Sequence, residues 1–142
     1  MKRPQIGIGA VIFRGDEVLM IRRGKPPRMG EWAIPGGRQE LGETVAEGAR
    51  REVQEETGVT CRIGGLIDVV DGISRDEAGT IIYHYTLVDM WGEWQAGEAV
   101  ADSDAMAACF MPLTEIPGLS LWPETRRVID LAQALRAAAG LA

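Results

Sequence analysis

Cysteine is scarce in this chain. Its 142 residues hold two, Cys61 and Cys109, far apart and without metal-ligand spacing. Each sits in an apolar stretch, so both read as buried free thiols in a reducing cytoplasm rather than as a disulfide or a cysteine-held metal. Histidine is scarcer still: His84 stands alone, mid-strand, where sheet packing is expected rather than catalysis. Positive charge is also short. There are 21 acidic residues against 15 basic ones, a net charge of −6, which argues against binding to long nucleic acid, since that calls for a basic surface. No apolar run approaches the length of a membrane span, and Met-Lys-Arg-Pro at the start is not followed by the apolar region of a secretion signal. Repeats, low-complexity tracts and linkers are absent. With 46% hydrophobic residues and a mean hydropathy of −0.04, residues 1–142 read as a single domain large enough for a real core.

What the chain does have is concentrated in residues 37–59, GRQELGETVAEGARREVQEETGV. Thr44 and Glu47 form a capping box, so a helix is expected to start near Val45. Gly58 is suited to end it in the left-handed conformation. Ala46, Ala49 and Val53 form an apolar stripe at helical spacing. Glu52, Glu55 and Glu56 are related by three and four positions and share a neighbouring face. Such a cluster repels itself. Arg51 reaches Glu47 and Glu55 by spacing, but one arginine does not neutralise it. A hard divalent cation would, and Mg²⁺ takes oxygen ligands while keeping room for substrate phosphates. A solvated salt-bridge helix would carry the same charges. It would have no need, however, of the preceding segment 32–37, Trp-Ala-Ile-Pro-Gly-Gly, which reads as a short strand entering a tight glycine turn that lets backbone approach a ligand. The segment 37–59 holds six acidic and three basic residues and so supplies half of the net negative charge.

Gly37, Glu43, Arg51, Glu52, Val53, Glu55, Glu56, Gly58 and Val59 match the Nudix box residue for residue, so the chain resembles a Nudix hydrolase. The resemblance is specific over residues 32–59. It implies an α/β fold, the Nudix α/β/α sandwich, in which a mixed sheet is flanked by the box helix and a C-terminal helix. It also implies metal-dependent hydrolysis of a nucleoside diphosphate linked to another moiety, with water attacking phosphorus. By resemblance, Mg²⁺ or Mn²⁺ is held by Glu52, Glu55, Glu56 and the carbonyl of Gly36. The catalytic set is Glu52, Glu55, Glu56 and Arg51, while Gly37, Glu43 and Gly58 support the box. A bound metal would polarise phosphoryl oxygens and lower the pKa of water. Which carboxylate accepts the water's proton stays open: any of the cluster, or a loop acid among Glu98, Asp102 and Asp104.

The remaining pattern is compatible with that fold. Residues 5–13 and 18–23 read as a hairpin about Arg14-Gly15-Asp16-Glu17. Residues 60–70 read as a strand bent at Gly64-Gly65, 71–79 as a polar loop, 80–90 as the clearest strand, 91–104 as a long acidic loop, and 107–111 as a short strand. Pro123 opens a last helix with Val128, Leu131, Ala132 and Leu135 as its buried stripe. Gly7 and Gly9 signal close packing within the first strand.

Substrate contacts are expected from Arg22, Arg23, Glu98 and Asp104. Arg22 and Arg23, with Lys25 and Arg28, form a basic cluster suited to phosphates. Trp91 and Trp94, placed in the acidic loop, are the stacking candidates. Tyr83 and Tyr85 could stack on a base, but core or sheet packing is the expectation; Phe110 is expected in the core, and Trp122 against the last helix. The expected partner is a small phosphorylated nucleotide, with no membrane; a homodimer is compatible with the family. Nucleoside diphosphate sugars such as ADP-ribose rank ahead of nucleoside triphosphates, oxidised ones included. A nucleotide-sensing module is the alternative from another class, although such modules commonly lose box glutamates and this chain keeps them.

Overall fold

The computed structural model describes residues 3–141. Strands β1 (Gln5–Arg14) and β2 (Glu17–Arg23) form the expected hairpin, paired at Phe13–Val18 and Arg14–Glu17. Beyond that point the two strands separate. β1 takes up β4 (Gly36–Arg38) antiparallel, and β2 takes up β3 (Trp32–Ala33) and β7 (Ala105–Pro112). The other edge of β1 runs parallel to β6 (Ile81–Ala96), in register from Gln5–Tyr85 to Phe13–Glu93, and β6 pairs antiparallel with β5 (Thr60–Arg75). The sheet is therefore mixed and seven-stranded, with the path β3-β2-β1-β6-β5.

Side-chain alternation along β1 and β2 builds two cores, one per face. Val11, Phe13, Val18 and Met20 meet Val128, Ile129 and Ala132 of helix α2 (Pro123–Ala138). Ile8, Ala10, Ile12 and Leu19 meet Ala49 and Val53 of helix α1 (Val45–Thr57). The chain is thus the expected α/β/α sandwich. Thr44 caps α1 with both arms of the capping box, and Gly58 closes it at φ 74°. In the stripe of α1, Ala49 and Val53 are buried and Ala46 half-buried. Among the described residues no helix is long and apolar enough to cross a membrane.

Several expectations are corrected. Gly36 and Gly37 do not form a turn: they lie in β4, and a Cβ on Gly36 would collide with the backbone carbonyl of Ile8. The polar loop shrinks to a tight turn at residues 76–80, where Asp76 Oδ1 accepts from the N–H groups of Ala78 and Thr80; β5 continues to Arg75 because β6 offers it a partner along its length. The register does shift at Ile63–Gly65, as the glycine pair suggested. The acidic loop begins later than expected, since β6 runs to Ala96. Trp91 consequently packs into the α2-side core beneath Gly64, where a Cβ would strike its ring. Trp94 lies on the strand, donates to the Gly97 carbonyl at 2.7 Å and carries the Arg14 guanidinium over its ring. The buried stripe of α2 is Val128, Ile129, Ala132 and Arg136, while Leu131 and Leu135 are exposed. Arg136 turns the helix this way by gripping Glu93 at 2.7 and 2.9 Å and the Gly15 carbonyl at 2.8 Å, above the Phe13 ring. Cys61 is buried, but Cys109 is only partly so. Phe110 sits at the margin of the α1-side core under the Arg14 guanidinium.

Candidate active site

A cleft of about 630 Å³ opens between α1, β4 and the loop 24–31, and extends across the α2-side face of the sheet. That size and its mixture of apolar walls with convergent polar groups suit a small-molecule ligand. Glu52, Glu55 and Glu56 of α1 form one wall, beside Gly36 and Gly37.

Arg51 organises this wall. Its Nε and Nη2 donate to the two oxygens of Glu43 at 2.9 and 2.6 Å, and Nη2 also reaches the Arg38 carbonyl at 3.0 Å. Its Nη1 donates to Glu52 at 2.7 Å and to Glu55 at 3.2 Å. The expected link to Glu47 does not form, because that side chain completes the cap of α1. Held by Arg51 and by the Glu40 backbone N–H, the Glu43 carboxyl is pulled down to about 2. Glu52 moves the other way: its burial outweighs the hydrogen bond from Arg51 and raises its pKa.

Glu56 is 6% exposed and accepts a hydrogen bond from the Gly36 N–H at 2.8 Å. Burial pushes its carboxyl up to about 7, against that hydrogen bond, and the charge of Glu52 adds to the rise. A negative cluster so arranged has affinity for a cation, and its donors are all oxygens, the set that Mg²⁺ and Mn²⁺ prefer. Gly37 makes the arrangement feasible, because a Cβ there would run into the Glu52 carboxylate. Among the described residues no three acidic, histidine or cysteine side chains yet converge as a ready-made metal cage. Arg51 engages Glu52 and Glu55 from one side.

The other candidates divide by position. Arg23 lines the cleft, and its Nε donates to the Pro27 carbonyl at 2.6 Å. Arg22 lies outside the main cleft and uses its Nε to hold the Gly30 carbonyl at 2.8 Å. Lys25 pairs with Asp104 at 2.9 Å on the cleft rim. Asp102 meets α1 through its backbone N–H on the Glu56 carbonyl. Glu98 is not among the cleft residues; it pairs with Arg14 at 3.1 Å and is 80% exposed. Arg28 lines the cleft with its guanidinium 4.0 Å over the Trp122 ring.

At the far end of the cleft the sequence reading missed Asp89 and Glu124. Tyr83, Tyr85 and Asp89 of β6 line that end, with Glu124 at the start of α2. Asp89 carried a legible signal: a lone acid in the apolar run Leu87-Val88-Asp89-Met90-Trp91.

Comparison with known proteins identifies the family. The family model described as NUDIX domain matches residues 3–132. An ADP-ribose pyrophosphatase of Methanocaldococcus jannaschii is 35% identical over 117 residues, covering 82% of this chain and 67% of that protein. An 8-oxo-dGDP phosphatase of Homo sapiens is 31% identical over 121 residues, covering 85% of this chain and 36% of that protein. The chain therefore spans about two thirds of the archaeal relative and about a third of the human one. The crystal structure of a MutT NUDIX hydrolase from Burkholderia pseudomallei superposes with a TM-score of 0.78 at 29% identity, covering 92% of this chain and 98% of the other.

Proposed function

This chain belongs to the Nudix family, and from that premise we propose that it hydrolyses the pyrophosphate bond of a nucleoside diphosphate linked to another moiety. A nucleoside diphosphate sugar of the ADP-ribose kind is the favoured substrate. The observation that carries this reading is the chain of hydrogen bonds from Glu43 through Arg51 to Glu52 and Glu55, which sets these helix carboxylates beside Glu56 along the glycine edge of a substrate-sized cleft.

Glu52, Glu55 and Glu56, with the Gly36 carbonyl, would hold Mg²⁺ or Mn²⁺. Bound there, such an ion would supply charge neutralisation for the diphosphate and acidify water. The protein's own part is positional. Arg51 fixes the rotamers of Glu43, Glu52 and Glu55, and the Gly36 N–H fixes Glu56. Arg23, which lines the cleft, would face the phosphate chain. Water's oxygen forms a bond to one phosphorus, the bridging P–O bond breaks, and the proton passes to a carboxylate of the α1 cluster. For ADP-ribose the products are AMP and ribose 5-phosphate.

A second reading, hydrolysis of oxidised nucleoside di- or triphosphates, is favoured by the human relative. A nucleotide-sensing role is the reading from another class. The three are separated by phosphate release, coupled through pyrophosphatase and phosphatase, across ADP-ribose, other nucleoside diphosphate sugars, dinucleotides, and canonical and oxidised nucleotides, with and without Mg²⁺. Metal-dependent turnover concentrated on the diphosphate sugars is expected. Turnover confined to oxidised nucleotides selects the second reading, and binding without turnover selects the sensor.

A further inference from the structure

The cleft has two ends of different build. Toward α1 and the loop 24–31 it carries the carboxylates of Glu52, Glu55 and Glu56, with Arg23 and Lys25 beside them. Toward β6 and the start of α2 it carries Tyr83, Tyr85, Asp89 and Glu124. On the function proposed above, the phosphates belong at the first end, where those carboxylates would hold the cation. The second has Tyr83 and Tyr85 and suits a flat uncharged ring.

Asp89 is the unusual group there. It is 6% exposed, and its carboxyl makes no hydrogen bond or ion pair with another described residue. No fully enclosed side-chain oxygen among the described residues lacks a partner, so the Asp89 oxygens open onto the cleft they line. Gly9 makes room for this carboxyl, since a Cβ at that position would collide with Asp89 Oδ1. The charged groups around it are Asp68, Glu124 and Arg127, and Arg127 is occupied by Asp68 at 2.8 Å and Glu124 at 2.7 Å. Burial, reinforced by Asp68, pushes the Asp89 carboxyl up to about 7. An acid in that state offers an O–H donor and a carbonyl acceptor side by side. The fold gains nothing from such a group: a buried carboxyl without a partner is destabilising, and apolar Leu87 and Trp91 point to the same face.

We propose that Asp89 reads the hydrogen-bonding edge of the substrate's nucleobase, with the base over the β1–β6 floor of the cleft and the phosphates toward α1. The proposal rests on the nucleotide reading above and names the residue that would give it base selectivity. Every nucleobase presents an adjacent donor and acceptor, so the panel must decide which one fits. A site built to bond such an edge loses heavily when its own polar group is removed.

The test is calorimetric titration of AMP, GMP, CMP and UMP, with ribose 5-phosphate as the base-free control, into the full chain without metal. Wild type, Asp89→Leu and Asp89→Asn are compared, and each is also melted without ligand. Wild type is expected to bind one mononucleotide at least about tenfold more tightly than ribose 5-phosphate. Asp89→Leu is expected to lose about tenfold of that preference while its Tm holds or rises. Asp89→Asn, which keeps a donor and an acceptor, is expected to stay within about threefold of wild type. A preference unchanged in Asp89→Leu, an equal loss toward ribose 5-phosphate, a Tm that falls with affinity, or no base preference in wild type overturns the proposal. Hydrolysis is scored apart. Turnover by wild type with an indifferent Asp89→Leu sinks this proposal and leaves the function standing. Asp89-dependent base binding without turnover does the reverse.

Discussion

Arg51 and Glu43 meet through two hydrogen bonds, Nε to Oε2 at 2.9 Å and Nη2 to Oε1 at 2.6 Å. The pair places an arginine fork where its remaining nitrogen must face Glu52 and Glu55. Glu43 thus acts on the cleft without lining it: it orients the residue that orients the glutamates.

That relationship predicts that Arg51→Lys is not conservative. A lysine cannot bridge Glu43 in two places and reach Glu52 as well. Turnover is expected to fall by about 10²-fold, the effect of misplacing reactive groups by roughly an ångström. The urea midpoint is expected to fall as well, because Glu43 loses its two-point partner. Steady-state kinetics beside urea unfolding checks both. Wild-type turnover in this variant sinks the clamp.

Gly37→Ala is expected to damage activity more than folding. The new Cβ meets the Glu52 carboxylate, the movable end of a side chain, so Glu52 shifts and the strand stays. A loss of about 10²-fold in kcat is expected, with a circular dichroism spectrum like that of wild type. An unfolded variant would show instead that Gly37 serves the sheet.

Val53→Asp tests the core beneath the site. Val53 is fully buried between α1 and the sheet with Ala49 and Leu19. A carboxylate there has no partner, so a loss of more than about 4 kcal/mol is expected. Thermal unfolding reads it. A variant that melts near wild type would mean that α1 packs differently.

The box helix was legible because its signals are local. Thr44, Glu47 and Gly58 state where α1 begins and ends, and the glutamate spacing states its face. The hairpin was legible for the same reason. The far end of the cleft was not, because it is made by register. Asp89 faces Gly9 only because β6 runs parallel to β1, and the lengths of β5 and β6 are set by each other rather than by their own residues. Trp91 and Trp94 left the expected loop on that account. Leu131 and Leu135 were misplaced because the ion pair of Arg136 with Glu93, from another strand, fixes the rotation of α2.

The pH dependence of stability is expected to fall away on both sides. Glu43 has a folded pKa below its ordinary 4.5, at about 2, so its contribution is complete above about pH 4.5 and is lost as pH falls toward 2. Asp89 is the opposite case, raised from 3.8 to about 7 by burial. The folded state holds its proton more tightly, so its contribution is present below about pH 4 and is lost as pH rises to 7. Glu56, raised from 4.5 to about 7, acts in the same direction. Without metal or nucleotide, Tm is expected to decline from pH 4.5 to 7, and Asp89→Asn to flatten part of that decline. The same slope in wild type and variant would assign the decline to other groups.

The most direct measurement is the release of AMP from ADP-ribose by wild type and Glu56→Gln, with and without Mg²⁺, beside the Tm of each. The introduced amide keeps an oxygen for the Gly36 N–H but loses the charge, so the fold is expected to hold. Wild type is expected to turn over only with metal, and the variant to lose activity by about 10²-fold or more at an unchanged or higher Tm. Metal-independent turnover, or a variant as active as wild type, would contradict the assignment of the α1 carboxylates as the centre of the reaction.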